Sequence, residues 1–542
     1  MNTAGSGFRL AASAILLASL LTVSLTLTNI AQSAMAQTNM TSLSSSSTTP
    51  LSFNQTGAQN ASATAAVDDS GLPIQQGFKA SVLATNFSAP HNILYGPDGA
   101  LWITERVGQK ITRIDPNTGE NLSSMPVPDV YQTGGQDGVM GMAFDPDFNS
   151  TSYIYVAYTY DGKPSTSNNS TATAGDNTSL GNPENNNTNA ADDQWRRTKI
   201  TRFTYDPDGQ SLGQPVDLIS GLSGSGDHNS GRMVFGPDGM LYYTIGDQGN
   251  NQFDNYCKPI RAQWLPTDAE VQAENWTTYE GKVLRMNPDG SIPEDNPVIN
   301  GVKSHIFTYG HRNAQGISVG PGGVLYSVEH GDKSDDEFNR LEAGGNYGWP
   351  NVAGFNDGKA YQYANWSSAE NCPELTFSNM PPFPPSVSVM NESEFVAPDF
   401  MAPIQTFYTV EDDYNFTSPP DCGYVCWPTV APSSLRLYSS DAIPDWNGTF
   451  LMTTLKGGGI FHLTLNDNGT ALSSDPAEMF RSENRYRDLT FGPDGKTIYV
   501  ITDSSGPVQA IEGGPIATVK NPGSLLVFTY EGTHRTSDPS TP

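Results

Sequence analysis

The stretch Phe235-Gly-Pro-Asp-Gly-Met-Leu-Tyr-Tyr-Thr-Ile-Gly-Asp247 decides the fold. It reads as a tight Gly-rich turn feeding a strand of β-branched and aromatic residues that ends in an acidic group. Clear counterparts are Tyr95-Gly-Pro-Asp-Gly-Ala-Leu-Trp-Ile-Thr-Glu105, Gly320-Pro-Gly-Gly-Val-Leu-Tyr-Ser-Val-Glu329 and Phe491-Gly-Pro-Asp-Gly-Lys-Thr-Ile-Tyr-Val-Ile-Thr-Asp503. Phe144-Asp-Pro-Asp-Phe148, followed by Tyr153-Ile-Tyr-Val-Ala-Tyr158, is a looser copy. One unit recurring from Tyr95 to Asp503 signals radial or linear β repetition, and the long, irregular spacing favours a propeller over a solenoid. Polar strand ends would then converge on one mouth of the central channel. The repeats suit a protein-binding scaffold as well as they suit an enzyme.

Composition agrees with many short strands: of 542 residues, 36% are hydrophobic, with 53 Gly and 39 Pro. The formal net charge of -29 (57 Asp and Glu against 28 Lys and Arg) disfavours nucleic acid and anionic membrane surfaces as partners. Arg9, the apolar run Leu10 to Ile30 and the Ala34-Met35-Ala36 cleavage pattern mark residues 1–36 as a signal peptide or an N-terminal anchor. Residues 37–70, rich in Ser, Thr and Asn, read as a disordered linker. The propeller is expected over 71–532, with a low-complexity insertion at 161–194 and a flexible tail at 533–542. The chain is therefore expected outside the cell or in a periplasm-like space. Sequons at Asn86, Asn121, Asn275, Asn365, Asn391, Asn415, Asn447 and Asn468 are glycosylation acceptors in such a setting, although Asn-rich composition also creates them by chance. Cys422 and Cys426 are close enough to be bridged across a turn, leaving Cys257 and Cys372 as a long-range pair; free buried thiols are the alternative.

Four motifs carry chemistry. Arg485 and Arg487 have period-two spacing, so on a strand both guanidinium forks project from one face, where they can bind carboxylates. With Lys456 they would form a cationic pocket that runs against the global charge and suits a small polyanion; surface salt bridges are the alternative. Asp227-His228 lies on a Gly-flanked loop before a repeat strand, where a carboxylate can fix the imidazole tautomer for general-base work. Arg312, in Gly310-His-Arg-Asn313, offers a fixed cation to a developing oxyanion or, alternatively, holds loops through backbone carbonyls. His330-Gly-Asp-Lys-Ser-Asp-Asp-Glu337, with Gly345-Asn-Tyr-Gly-Trp-Pro350 and Asp357, clusters hard oxygen ligands of the kind calcium selects, without EF-hand spacing; a solvated acidic turn is the alternative.

A set of ordered blocks is more specific. They are Asp227-His228 before Ser230-Gly-Arg232, Thr244-Ile-Gly-Asp-Gln-Gly249, Gly281-Lys-Val-Leu-Arg285, Asp289-Gly-Ser-Ile-Pro293, Gly310-His-Arg-Asn313 and Ser334-Asp-Asp-Glu337. Gly344-Gly-Asn-Tyr-Gly-Trp-Pro-Asn-Val-Ala-Gly354, Trp427-Pro-Thr-Val-Ala-Pro-Ser-Ser434, Asn484-Arg-Tyr-Arg-Asp488 and Gly523-Ser-Leu-Leu-Val-Phe-Thr-Tyr530 follow. On these, from Leu72 to Tyr530, the chain resembles the soluble glucose/sorbosone dehydrogenase family of quinoproteins, which depend on pyrroloquinoline quinone.

The resemblance implies an all-β, six-bladed propeller of four-stranded antiparallel blades. It implies an enzyme that oxidises the C1 hydroxyl of glucose-like aldoses to the lactone and passes electrons to an external acceptor. By motif, His228 is the general base, Asp227 supports it, Arg312 stabilises the reduced oxygen of the quinone and Gln136 helps place the sugar. Lys456, Arg485, Arg487, Asn313 and Thr429 would hold the cofactor, with Tyr424, Trp427 and Gln252 lining the sugar side. Gly331 and Asp332 would offer carbonyls to a calcium at the quinone. A second calcium would use Glu337, Tyr347, Ala353 and Asp357, in a region that supports a homodimer in relatives. Four positions depart from the family pattern: Asp332 replaces Pro, His330 Gln, Asn250 Arg, and Phe253 a smaller apolar residue, which bears on calcium geometry and substrate preference. Two other classes stay open. A calcium-dependent propeller lactonase gives Lys456, Arg485 and Arg487 no role, and a non-catalytic exported binding propeller also leaves His228 and Arg312 without one.

Overall fold

The computed structural model describes residues 66–163, 195–420 and 422–532. The expected signal or anchor, most of the linker, nearly all of the insertion and the tail lie outside the described residues. Ala66–Val67 pairs with Pro73–Ile74, so the folded body takes in the end of the segment read as linker.

Six four-stranded antiparallel sheets form the body. Blade one is Pro90–Tyr95, Leu101–Glu105, Lys110–Ile114 and Asn121–Pro126. Blade two is Val139–Phe144, Tyr153–Asp161, Arg196–Asp206 and Ser211–Ser223. Blade three is Ser230–Phe235, Leu241–Ile245, Lys282–Met286 and Ile306–Tyr309. Blade four is Ala314–Val319, Leu325–Glu329, Asp336–Leu341 and Gln405–Phe407, and blade five is Pro432–Tyr438, Thr449–Thr454, Ile460–Leu463 and Ala477–Met479. Blade six takes Tyr486–Phe491, Thr497–Thr502 and Leu525–Tyr530 from the end of the chain, and Phe78–Ala84 from its beginning as the outer strand. That pairing closes the ring. The first strand of each blade packs against the first strand of the next all the way round, as a six-bladed propeller requires.

The repeated turn explains the inner hairpins. In blades one, three, four and six its first glycine lies under the strand aromatic: a Cβ at Gly96, Gly236 or Gly320 would meet Trp102, Tyr242 or Tyr326 at 2.5 to 2.6 Å, and one at Gly492 would meet Tyr499 at 3.4 Å. The second glycine takes the left-handed conformation, as at Gly99 (φ 82°) and Gly239 (φ 75°), where other residues are strained. The apolar core lies between blades: separate buried clusters join blades one and two (Trp102, Ile154), two and three (Tyr155, Tyr243) and so on around the ring. Strands such as Leu101–Glu105 are therefore buried along their whole length.

One polar cluster binds all six inner strands. Asp488 Oδ2, on blade six, accepts from Arg232 Nη1 of blade three at 2.7 Å, Arg436 Nη2 of blade five at 3.0 Å, and Asn92 Nδ2 and Ile93 N of blade one at 2.6 and 2.9 Å. Arg232 also donates to Gln315 O of blade four and Ser433 O of blade five, while Met142 N of blade two donates to Asn92 Oδ1. The protein carries two disulfides, Cys257–Cys372 and Cys422–Cys426, in the expected pairing. Among the described residues no helix is long and apolar enough to cross a membrane.

Candidate active site

The loop before blade three carries His228 in the left-handed region (φ 47°), a conformation that costs a non-glycine residue about 1–3 kcal/mol and concentrates at functional sites. A close approach locks it there: a Cβ on Gly246 would stand 2.0 Å from His228 O. The imidazole is buried, and its Nδ1 lies 2.8 Å from Asp247 Oδ1. Asp247 is in turn held by Trp349 Nε1, which donates to its Oδ2 at 2.8 Å. An ionised carboxylate only accepts, so the proton resides on Nδ1 and Nε2 keeps its lone pair.

Asp227 accepts from the backbone N–H of His228 at 3.0 Å, but its side chain is not the one that holds the ring. Its Oδ2 is 3.9 Å from His228 Nε2, beyond hydrogen-bond reach, and its carboxylate is engaged by Gln136 Nε2 and by Gln252 Nε2, the latter at 2.8 Å. The tautomer-fixing group is Asp247, which sequence reasoning missed although it is the acidic end of the founding repeat. Gln252 also approaches His228 Nε2 at 3.3 Å and accepts from Arg312 Nη2 at 3.0 Å. Gln136, Asp227, His228, Gln252 and Arg312 are thus brought together as expected. Arg312 lies 5.2 Å over the Trp349 ring and 4.0 Å from Asp332, and its Nε is buried without a partner.

The cationic motif assembles beside this group. Arg487 Nη2 and Nε donate to Asp503 at 2.7 and 2.9 Å, Arg485 Nε reaches the same carboxylate at 3.4 Å, and Arg487 Nη1 donates to Gln315 Oε1 at 3.3 Å. Gln315 Nε2 and Ser230 Oγ both donate to Asn313 Oδ1, which fixes that amide and leaves Asn313 Nδ2 buried without a partner. Lys456 Nζ donates to Trp427 O at 2.7 Å, Tyr424 O at 3.1 Å and Thr429 Oγ1, so it clasps the turn that the Cys422–Cys426 bridge closes. Burial lowers the ammonium to about 7, partly opposed by Asp336. Tyr424 is exposed at the rim and Trp427 half-buried. A donor set this rich, with buried nitrogens lacking acceptors, fits a flat polyanion with several carboxylates.

The residues expected at calcium are arranged less completely. Gly331 N donates to Asp336 Oδ1 at 2.9 Å, and any Cβ on Gly331 would strike Ser334 O at 1.9 Å, so the turn requires glycine. The Asp332 side chain pairs with Lys333. Glu337 accepts from Gly354 N and Asn339 Nδ2, the Tyr347 hydroxyl donates to Arg340 O, Ala353 is buried and Asp357 is exposed beside Glu392. Glu392, unforeseen from the sequence, is buried with Oε2 unpartnered, and burial with the neighbouring Asp357 and Asp335 pushes it up to about 8. Among the described residues, no group of three or more His, Cys, Asp or Glu side chains gathers as a metal cluster. Asn250, Gln252, Asp332, Lys333 and Trp349 line one cavity, and a wider cleft that shares Lys333 and Tyr361 with it is also lined by Tyr414.

A family profile described as Glucose / Sorbosone dehydrogenase matches residues 87–396 and 410–510. Quinoprotein glucose dehydrogenase B of Acinetobacter calcoaceticus is 43% identical over 463 residues, 84% of this chain and 92% of that protein. Aldose sugar dehydrogenase YliI of Escherichia coli is 26% identical over 430 residues, 78% of this chain and 90% of that protein. Among solved structures, an aldose sugar dehydrogenase from Streptomyces coelicolor in its PQQ-bound form superimposes with a TM-score of 0.53 at 22% identity, covering 83% of this chain and 98% of that one. This last likeness bears on the fold alone. The profile match and the Acinetobacter relative together show that the chain belongs to the glucose/sorbosone dehydrogenase family.

Proposed function

We propose that the protein oxidises the C1 hydroxyl of glucose-like aldoses to the lactone with pyrroloquinoline quinone and calcium, and delivers the electrons to an external acceptor. The observation that carries this reading is the His228–Asp247 pair at 2.8 Å, which leaves Nε2 as the acceptor nitrogen, 3.3 Å from Gln252 Nε2 and beside the cation-rich pocket. Bound there, the quinone would supply a two-electron acceptor for the C1 hydrogen, and calcium would supply Lewis-acid polarisation. His228 Nε2 removes the proton of the C1 hydroxyl, and Asp247 stabilises the imidazolium that results. Arg312 places a permanent positive charge where negative charge develops. Gln136, Asp227 and Gln252 hold sugar hydroxyls, while Tyr424 and Trp427 cover apolar faces. Lys456, Arg485, Arg487, Asn313 and Thr429 hold the cofactor.

Calcium at the quinone would be held by the Gly331 and Asp332 carbonyls. A second ion would be held by Glu337, Tyr347, Ala353 and Asp357, where the unpartnered Glu392 oxygen adds a donor of the right kind. Export is supported by the leader at 1–36 and by both disulfides, with the leader either cleaved or kept as a membrane tether. Pairing into a homodimer rests on the family resemblance.

The test is reconstitution of the purified chain with pyrroloquinoline quinone and calcium, followed by aldose-dependent reduction of an electron-accepting dye. Activity that needs both additions is expected, and His228→Ala should keep quinone binding while losing turnover. Absence of quinone binding overturns the reading.

A further inference from the structure

Two buried nitrogens of blade one are left over from the site. His91 is 4% exposed and its Nδ1 has no partner. Arg106, partly exposed as a residue, has its Nη1 buried without one. Arg106 follows Glu105 at the end of Leu101–Glu105, and its carbonyl accepts from Val139 N at 3.2 Å, which pins the backbone against blade two. Glu105 pairs with Pro90 as Glu329 pairs with Ala314. Arg106 therefore occupies on blade one the register position that His330, next to the Gly331 turn, occupies on blade four.

The electrostatic surroundings identify what is missing. Arg106 interacts with Arg487 and Asp503, and burial lowers its guanidinium to about 10. His91 is held neutral by burial and then by Arg232, Arg487 and Arg106. Asp137, the other carboxylate near Arg106, is already paired with Arg196 at 3.1 Å. Asp503 is ion-paired with Arg485 and Arg487 and also feels the more distant charge of Arg106, so three guanidiniums face one carboxylate, an excess of two positive charges. Excess buried charge is costly until a counter-ion arrives, and a carboxylate matches the guanidinium fork.

We propose that Arg106 is a further cofactor-binding residue, reaching from blade one to a carboxylate of the bound polyanion across from the Arg485–Arg487 wall, with neutral His91 packed beside it. The inference rests on the quinone reading.

The test is titration of the full chain, with calcium, by pyrroloquinoline quinone and by its trimethyl ester, following the quinone spectrum. Arg106→Met should lose about tenfold or more in affinity for the acid, as expected for one charge-assisted hydrogen bond, and little for the ester. Arg106→Lys should recover part of that loss. Equal acid affinity in Arg106→Met and the wild type overturns the inference, and so does an equal loss for acid and ester, which marks a merely structural role. Failure of the wild-type chain to bind the quinone overturns the functional reading instead.

Discussion

At the centre of the ring and at its mouth the protein buries arginines against a single aspartate, and the two clusters are completed differently. Around Asp488 blades one, three and five contribute partners directly, blades two and four join through Asn92 and Arg232, and Arg232 spends its donors on Asp488, Gln315 O and Ser433 O. At Asp503 two arginines share one carboxylate, and elsewhere in the candidate site Arg312 Nε, Asn313 Nδ2 and Arg106 Nη1 are left without acceptors. A saturated buried network fixes geometry, whereas an unsaturated one carries a desolvation cost that a ligand can relieve. The difference separates the part of the channel that holds the blades together from the part whose buried donors are left unsatisfied.

Breaking the saturated cluster should have the largest effect. Asp488→Ala strands Arg232 and Arg436 in the interior, and removing one partner of a buried pair costs about 3–5 kcal/mol. Denaturant unfolding of the apo-protein measures it. A loss under about 1 kcal/mol would mean the hub contributes little to ring closure.

Next is the link between the strands and the base. Asp247→Asn keeps the shape but can donate to Nδ1, which favours the tautomer with its proton on Nε2. Turnover should fall about 100-fold or more, equivalent to about 2.7 kcal/mol, with quinone affinity unchanged. A parallel fall in affinity would show that Asp247 acts by holding the pocket rather than the base.

The sequence made five of the six inner hairpins legible, because a turn motif is local: its glycines and its strand aromatic lie a few residues apart. Blade five escaped, since its inner strands Pro432–Tyr438 and Thr449–Thr454 are joined by a different connection that closes at Gly448, whose N donates to Tyr438 O. His228, Arg312, Arg485 and Arg487 also belong to local motifs, so the sequence alone singles them out as candidates. Asp247 closes the founding repeat, yet its partner is not legible there, because Ser230 pairs with Ile245 only once the hairpin folds, bringing Asp247 to His228 in place of the neighbouring Asp227. Glu392 and Arg106 escaped for a related reason: their significance lies in missing partners, which only the folded arrangement reveals.

A smaller effect on the open cluster sharpens the contrast. Arg487→Met leaves Asp503 with Arg485 and removes one of the excess positive charges, so apo stability should fall by less than at the hub. Cofactor affinity should drop about tenfold or more, the worth of a hydrogen bond to a charged group. Chemical unfolding and quinone titration on the same sample separate the two. A loss of stability as large as that of Asp488→Ala would erase the distinction between the clusters.

The smallest effect is in pH and belongs to Lys456. Its ammonium is lowered to about 7 in the folded chain by burial, with Asp336 opposing, against about 10.4 when unfolded. Between those values the unfolded chain holds the extra proton, so Lys456 makes apo stability rise with pH across that window. Binding a carboxylate favours the protonated form, so the cofactor should bind with proton uptake and weaken as pH rises through 7. For a site with a value of 7 when free and well above 8 when occupied, the weakening from pH 7 to pH 8 is about fivefold. Lys282, also lowered to about 7, spends its ammonium on Arg261 O, Ala262 O and Glu280 O and affects apo stability in the same direction. Lys456→Met should therefore remove the pH dependence of quinone affinity while leaving the Lys282 part of the stability profile in place. Calorimetric titration in two buffers of different ionisation enthalpy reads the proton directly. An affinity that stays flat from pH 7 to pH 8 in the wild type would remove Lys456 from the carboxylate-binding set and leave it as the clasp of the Tyr424–Thr429 turn.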